Sequence, residues 1–276
     1  MKNRKVLIIL IVVLVILLIT GGIFGYIKII KPYNIAVENY KDVVKVIEEK
    51  NNELDGKIKK IQDLIDSNEK VLNESIIETA KDVNKRAGAS KLVLDKMPKK
   101  TKEIISKTEE LSIPPDYTEI YKELDETYNA YDTSIKQYKQ LTNPSEDFVI
   151  QRLRMIDEIA DVRAVTEDND PNGNLNKPGG YTATVYFESK NINQNEVYGT
   201  DLIDKGTDAG GSIEVYANEE DAKKREEYLA TFDGSILASG SHRVVGTVLV
   251  RTSNELTATQ QKDLEEKIIN ALSQLE

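Results

Sequence analysis

The sequence predicts a membrane-tethered chain in three parts: an N-terminal transmembrane helix, an all-α helical hairpin or coiled-coil segment, and a C-terminal α+β domain. Three observations predict it. Val6 to Ile27 carries no charge and is overwhelmingly apolar. Apolar residues then recur in heptads, the signature of a helix face that meets a partner helix. After Pro144 that period gives way to short alternating stretches separated by Gly-, Asn- and Pro-rich loops, as strands require.

The anchor, residues 6–30, reads VLIILIVVLVILLITGGIFGYIKII. A bilayer core is crossed by about 20 apolar residues in a helix, which pairs every backbone polar group internally. A cleaved signal has a shorter apolar region and a small-residue cleavage site, which this run lacks, so an uncleaved signal anchor is expected. The absence of cysteine excludes lipoprotein processing. Lys2, Arg4 and Lys5 in the 1–5 tail precede the run, and Lys28, Lys31, Lys41 and Lys45 follow it, so counting basic residues alone leaves sidedness open. The cluster directly before the first hydrophobic segment favours a cytoplasmic N-terminus with the rest of the chain extracytoplasmic. Gly21 and Gly25 form a small-xxx-small spacing through which two such helices could pair as a homodimer; glycine is also simply common in membrane helices.

Residues 31–143 are rich in lysine and glutamate and poor in glycine and proline. The seam Val37, Tyr40, Val44, Ile47, Leu54, Ile58, Ile61, Ile65 and Leu72 predicts one helix from Tyr33 to about Arg86, roughly 80 Å long. Asn51 interrupts the seam as a register-fixing residue. Gly88 marks an end or break. A second helix is expected from about Lys99 to Leu111, stopped by Pro114 and Pro115. A third starts near Asp116 with the stripe Tyr117, Tyr121, Leu124, Tyr128, Tyr131, Ile135 and Tyr138. This spacing reads as packing rather than a ligand surface, with hydroxyls reaching solvent. The segment is a spacer, folded as a hairpin or three-helix bundle, or else a parallel coiled-coil dimer.

Residues 144–276 form an acidic α+β domain. Their net charge is −12, against −2 for residues 31–143. Such a surface repels nucleic acid and anionic polymers and suits cations or basic partners. Ser145 is placed to cap a helix that buries Phe148, Leu153, Ile156 and Ile159. Strands are expected at Val162–Thr166, Tyr181–Ser189 and Ser212–Tyr216. Asn218 caps a helix with Glu219, Glu220 and Asp221 in its first turn. Ser235–Gly240 and Arg243–Arg251 supply one bent strand or two, and Thr257 with Gln260 forms a capping box before the last helix. The order predicts a small sheet with helices on one face, ferredoxin-like being the nearest common arrangement.

The strings GTDAGGSIEVYANEEDAKKREEYLATFDG and ASGSHRVVGTVLVRTSNELTATQQKDLEEKIINAL resemble a C-terminal domain of uncharacterised membrane-anchored or secreted proteins of Gram-positive bacteria. The resemblance covers about the last 130 residues and rests on a strand ending VRTS before LTxxQ and a helix. It implies a cell-envelope location. It brings no activity and no catalytic residues.

Three stretches invite chemistry. Asp168, Asp170 and Asn172, followed by Gly173, match the opening of a calcium loop, with Asn174 offering its carbonyl. Position twelve is Gly179 rather than the bidentate glutamate, and a strand precedes the loop, so a plain connection competes with calcium. Gly206–Gly211 suggests a phosphate cradle but lacks the P-loop lysine and serine, which favours a tight turn. Asp208, Ser241 and His242 allow a hydrolase triad on paper, without the nucleophile elbow that would support it. No cysteine and a single histidine argue against thiolate, multi-histidine or relay chemistry. The expectation is a non-enzymatic surface protein with an unknown protein partner, calcium or small-ligand sensing being the alternative.

Overall fold

The computed structural model describes residues 2–235 and 240–275, with side chains from Val13 onward. Helix α1 (Lys2–Gly25), a π turn (Tyr26–Ile30) and α2 (Lys31–Asp66) follow one another without a break. The π turn carries an extra residue and so rotates the faces of α2 relative to α1. From Val13 to Ile27 the helix is apolar all round, and from there to Ile30 only Lys28 interrupts it; large side chains such as Leu18 (67% exposed) and Ile29 (69%) touch no protein core. This is the one helix among the described residues that is long and apolar enough to cross a membrane.

The single helix expected from Tyr33 to Arg86 is broken. It ends at Asp66, and α3 begins only at Ser75 and runs to Ser90. Asn68 takes a left-handed conformation, φ 52°, which no helix interior permits. Asn73 then accepts hydrogen bonds from the backbone N–H and hydroxyl of Ser75 and so starts the next helix. Two further helices follow, α4 (Thr101–Leu111) and α5 (Thr118–Gln140).

The chain forms two compact units, Met1–Asp66 with Thr79–Tyr128, and Ser67–Glu78 with Asn129–Glu276. In the first, α3 and the extended segment after it retrace α2. Asn84 donates to the Ile58 carbonyl, Lys91 pairs with Asp55, Asn51 donates to the Leu92 carbonyl, and the Tyr40 hydroxyl donates to the Asp95 carbonyl. The α2 partners thus step back from residue 58 to 40 as the chain advances. The chain then turns and climbs. Helix α4 packs on α2 around Ala36, Tyr40, Ile47, Ile104 and Leu111. Tyr117 meets Asn51, and Lys57 pairs with Asp125 of α5. The heptad seam is therefore used against the chain's own helices. The tyrosine stripe does pack, and two of its hydroxyls are engaged within the unit rather than left to solvent. Tyr117 donates to Asn51 Oδ1 (2.7 Å) and Tyr121 to the Lys50 carbonyl (2.9 Å), because α5 lies against the polar interruption in α2.

The second unit is built on a five-stranded antiparallel sheet in the order β1-β2-β3-β5-β4. The strands are β1 (Ile159–Ala164), β2 (Tyr181–Ser189), β3 (Gly210–Tyr216), β4 (His242–Val245) and β5 (Val248–Thr252). Most of the expected strand at Ser235–Gly240 lies outside the described residues. The helices are α6 (Glu146–Leu153), α7 (Leu202–Lys205), α8 (Glu219–Ala230) and α9 (Ala258–Ser273). Ser145 and Asn218 cap α6 and α8, and the Thr257–Gln260 capping box opens α9.

The helices do not share one face of the sheet. Ala183, Val185, Phe187, Ile213, Val215, Val248 and Val250 form the main core with Val149 and Leu153 of α6 and Leu264, Ile268 and Leu272 of α9. Tyr181, Tyr216 and Leu249 point the other way, onto Ala222 and Leu229 of α8. All seven residues of β3 are buried. The alternate residues Ser212, Glu214 and Tyr216 are covered as fully as the apolar ones between them. A ferredoxin-like layer keeps its helices on one side, so this placement departs from that expectation.

Candidate functional site

The sheet face under α8 holds the densest group of buried polar chemistry among the described residues. Cross-strand register sets Ser212 of β3 opposite Tyr186 of β2 and Arg251 of β5, with His242 of β4 beyond Arg251. Two residues along β3, Glu214 stands opposite Thr184 and Leu249. Glu214 is 1% exposed. Its carboxylate accepts from Arg251 Nη1 (2.9 Å), Arg225 Nε (3.1 Å) and the Tyr216 hydroxyl (2.7 Å). Arg225 comes from α8, so the cluster clamps that helix to the sheet.

Burial pushes the Glu214 carboxyl up. Arg251 and Arg225 more than offset this and hold it below the usual carboxylate range. Burial, reinforced by Glu214, raises the phenol of Tyr216, and the Tyr186 phenol is pushed up to about 12 in the same way. None of these phenols ionises near neutral pH. The cluster is thus a fixed set of charges and donors. Ser212 Oγ and His242 Nδ1 are buried beside it with no hydrogen-bond partner among the described residues. This group went unread in the sequence. Its signal was a glutamate inside the apolar run SIEVY and an arginine closing VLVRT, two charges in strands that are otherwise core.

The three calcium candidates sit in the loop between β1 and β2. Asp168 and Asn172 are exposed, and Asp170 is half-buried. Both Asp170 oxygens are engaged: Oδ1 accepts from Asn172 N and the Tyr181 hydroxyl, and Oδ2 from Asn174 N and Leu175 N. Burial raises the Asp170 carboxyl, and the bonds from Tyr181 and the loop amides bring it below its ordinary value. The carboxylate organises the loop's own backbone. Among the described residues, no group of three or more His, Cys, Asp and Glu side chains is arranged to hold a metal ion.

Gly206–Ala209 is a 3₁₀ turn that leads straight into β3. Gly211 has φ 153°, and a Cβ there would lie 2.4 Å from the Phe187 ring and 2.2 Å from the Arg251 carbonyl. These glycines serve the close passage of β3 between its neighbours. The imagined triad is not assembled. His242 Nε2 faces Asp233 (3.1 Å), while the Ser241 hydroxyl engages Thr252 and Glu265. Asp208 meets Ser253 through its backbone carbonyl.

On the outer surface, a shallow open groove runs between Met155–Glu158 and Lys267, Asn270, Ala271 and Gln274 along α9. Met155 (62% exposed) and the distant Tyr198 (94%) are prominent exposed apolar side chains of this unit.

None of the family models, curated proteins or solved structures compared with the chain matches it.

Proposed function

We propose that this is a non-enzymatic, single-pass cell-envelope protein that presents an α+β interaction domain beyond a helical spacer. The observation that carries the reading is the apolar helix of residues 13–30, exposed on every side and continuous with α2. Left in water, that surface far exceeds what a monomer tolerates, and a bilayer removes the cost. The N-terminus is cytoplasmic and the sheet unit extracytoplasmic, in line with the basic tail and with the resemblance to envelope proteins of Gram-positive bacteria. Two anchors can pair through Gly21 and Gly25, where an added Cβ would meet nothing within 4 Å. The work is protein recognition by the acidic domain.

A photo-crosslinking residue at Met155 or Tyr198, in the full chain and in intact cells, tests the reading. A discrete adduct with one protein, lost when the unit is unfolded by mutation, is expected. Absence of any discrete adduct from either position, combined with a ligand-dependent rise in thermal midpoint, would move the function to sensing of a cation or small ligand.

A further inference from the structure

The turn between the descending segment and α4 has a composition unlike the rest of the chain. Residues 96–102 read KMPKKTK, four lysines in seven positions with no acidic residue. Lys96, Lys99, Lys100 and Lys102 are exposed. The nearest acids are already engaged: Glu103 pairs with Lys100, and Asp95 lies 3.7 Å from Lys107. Among the described residues, Lys96, Lys99 and Lys102 make no ion pair.

The fold of the first unit fixes where this turn lies. The descending segment meets α2 at Ile58, Asp55, Asn51 and then Tyr40, in that order. Asp95 is level with Tyr40. An extended chain advances about 3.3 Å per residue and a helix 1.5 Å. Three more residues therefore bring Pro98 down about 10 Å, to the level of Tyr33. That is about 5 Å along the axis from Ile30, where the apolar run ends. Lys31 and Lys28, both exposed, lie about 3 and 8 Å along the axis from Tyr33 toward the anchor.

We propose that Lys96, Lys99, Lys100 and Lys102, with Lys28 and Lys31, form a basic collar that binds anionic phospholipid headgroups of the bilayer holding the anchor. This rests on the reading of residues 6–30 as membrane-spanning. Each lysine near an anionic leaflet gains from its surface potential, which acts within a Debye length of about 8 Å at physiological salt. The turn lies inside that range. The collar would hold the first unit down on the headgroups, although the chain as a whole is acidic.

The test is amine-reactive labelling, read residue by residue by mass spectrometry, on the full chain in nanodiscs. One set is phosphatidylcholine, the other contains anionic phosphatidylglycerol. We expect Lys96, Lys99 and Lys102 to react at least about twofold more slowly in the anionic discs at low salt, with the difference lost in high salt. Lys60 of α2 and Lys85 of α3, far along the unit from the turn, serve as controls and should not change. Soluble glycerol phosphate added to phosphatidylcholine discs should not reproduce the protection. Equal reactivity in both discs, or equal protection by the soluble phosphate, overturns the collar while leaving the anchor standing. A chain that does not stay with the discs after alkaline washing overturns the anchor, and the collar with it.

Discussion

Two carboxylates decide most of what the sheet unit does at the scale of single residues. Glu214 sits between two guanidiniums, away from water. Removing it leaves both cations buried without their counter-charge, so Glu214→Ala should destabilise the unit by about 3–5 kcal/mol. Faster hydrogen exchange of β3 and α8 amides is the readout. The same residue sets an acid limit. Its folded value lies below its ordinary value of 4.5, so its stabilisation is complete above that pH and fades as pH falls through the folded value. Glu214→Gln should flatten this acid limb of the stability curve; an unchanged limb would assign it to other carboxylates. Asp170 plays the smaller part of a loop clasp. Asp170→Ala removes an acceptor of three amides and a phenol and should cost on the order of 2 kcal/mol. Millimolar calcium should leave the thermal midpoint of the wild-type protein where it was. A calcium-dependent rise abolished in Asp170→Ala would make the loop a metal site after all.

At the scale of elements, patterns with a local cause were readable and those with a distant cause were not. The capping residues Ser145, Asn218 and Thr257 act within a turn of themselves, and each starts its helix where it was expected. Tyr181–Ser189 alternates plainly and forms β2 over those same bounds. The break at Asn68 was hidden because apolar heptad positions continue past it to Leu72. Helix periodicity does not reveal a single left-handed residue. The second face of the sheet was hidden for another reason: a buried glutamate in a strand looks like a solvated one until its arginines, 11 and 37 residues away, are seen. The calcium pattern Asp168-x-Asp170-x-Asn172 was legible as a motif, but its hydrogen bonds depended on the loop's closure. Asn51 belongs to this scale as well. Its amide donates to the Leu92 carbonyl and its oxygen accepts from Tyr117, whose hydroxyl accepts from Leu92 N. It fixes register within one chain, joining α2, the descending segment and α5. Asn51→Leu should cost about 1–3 kcal/mol, and Tyr117→Phe about the same. The double variant should cost less than their sum, since both remove one network; full additivity would show that the two act apart.

For the whole molecule, the exposed apolar helix calls for a membrane, and the bulk of the chain beyond it calls for one side of that membrane. The first step needs only length and hydropathy, which the sequence displays openly. The second depends on which side the larger part of the chain occupies, and basic residues on both flanks of the anchor make that a matter for measurement. The chain contains no cysteine, so one introduced thiol reports sidedness without background. The direct experiment places a single cysteine at the exposed Ser90 of the full chain and treats intact cells with a membrane-impermeant maleimide. The account predicts labelling of intact cells equal to that after lysis, in a protein that stays with the membrane through alkaline extraction. Labelling only after lysis would place the bulk of the chain in the cytoplasm, and release by alkaline extraction would remove the anchor from the account altogether.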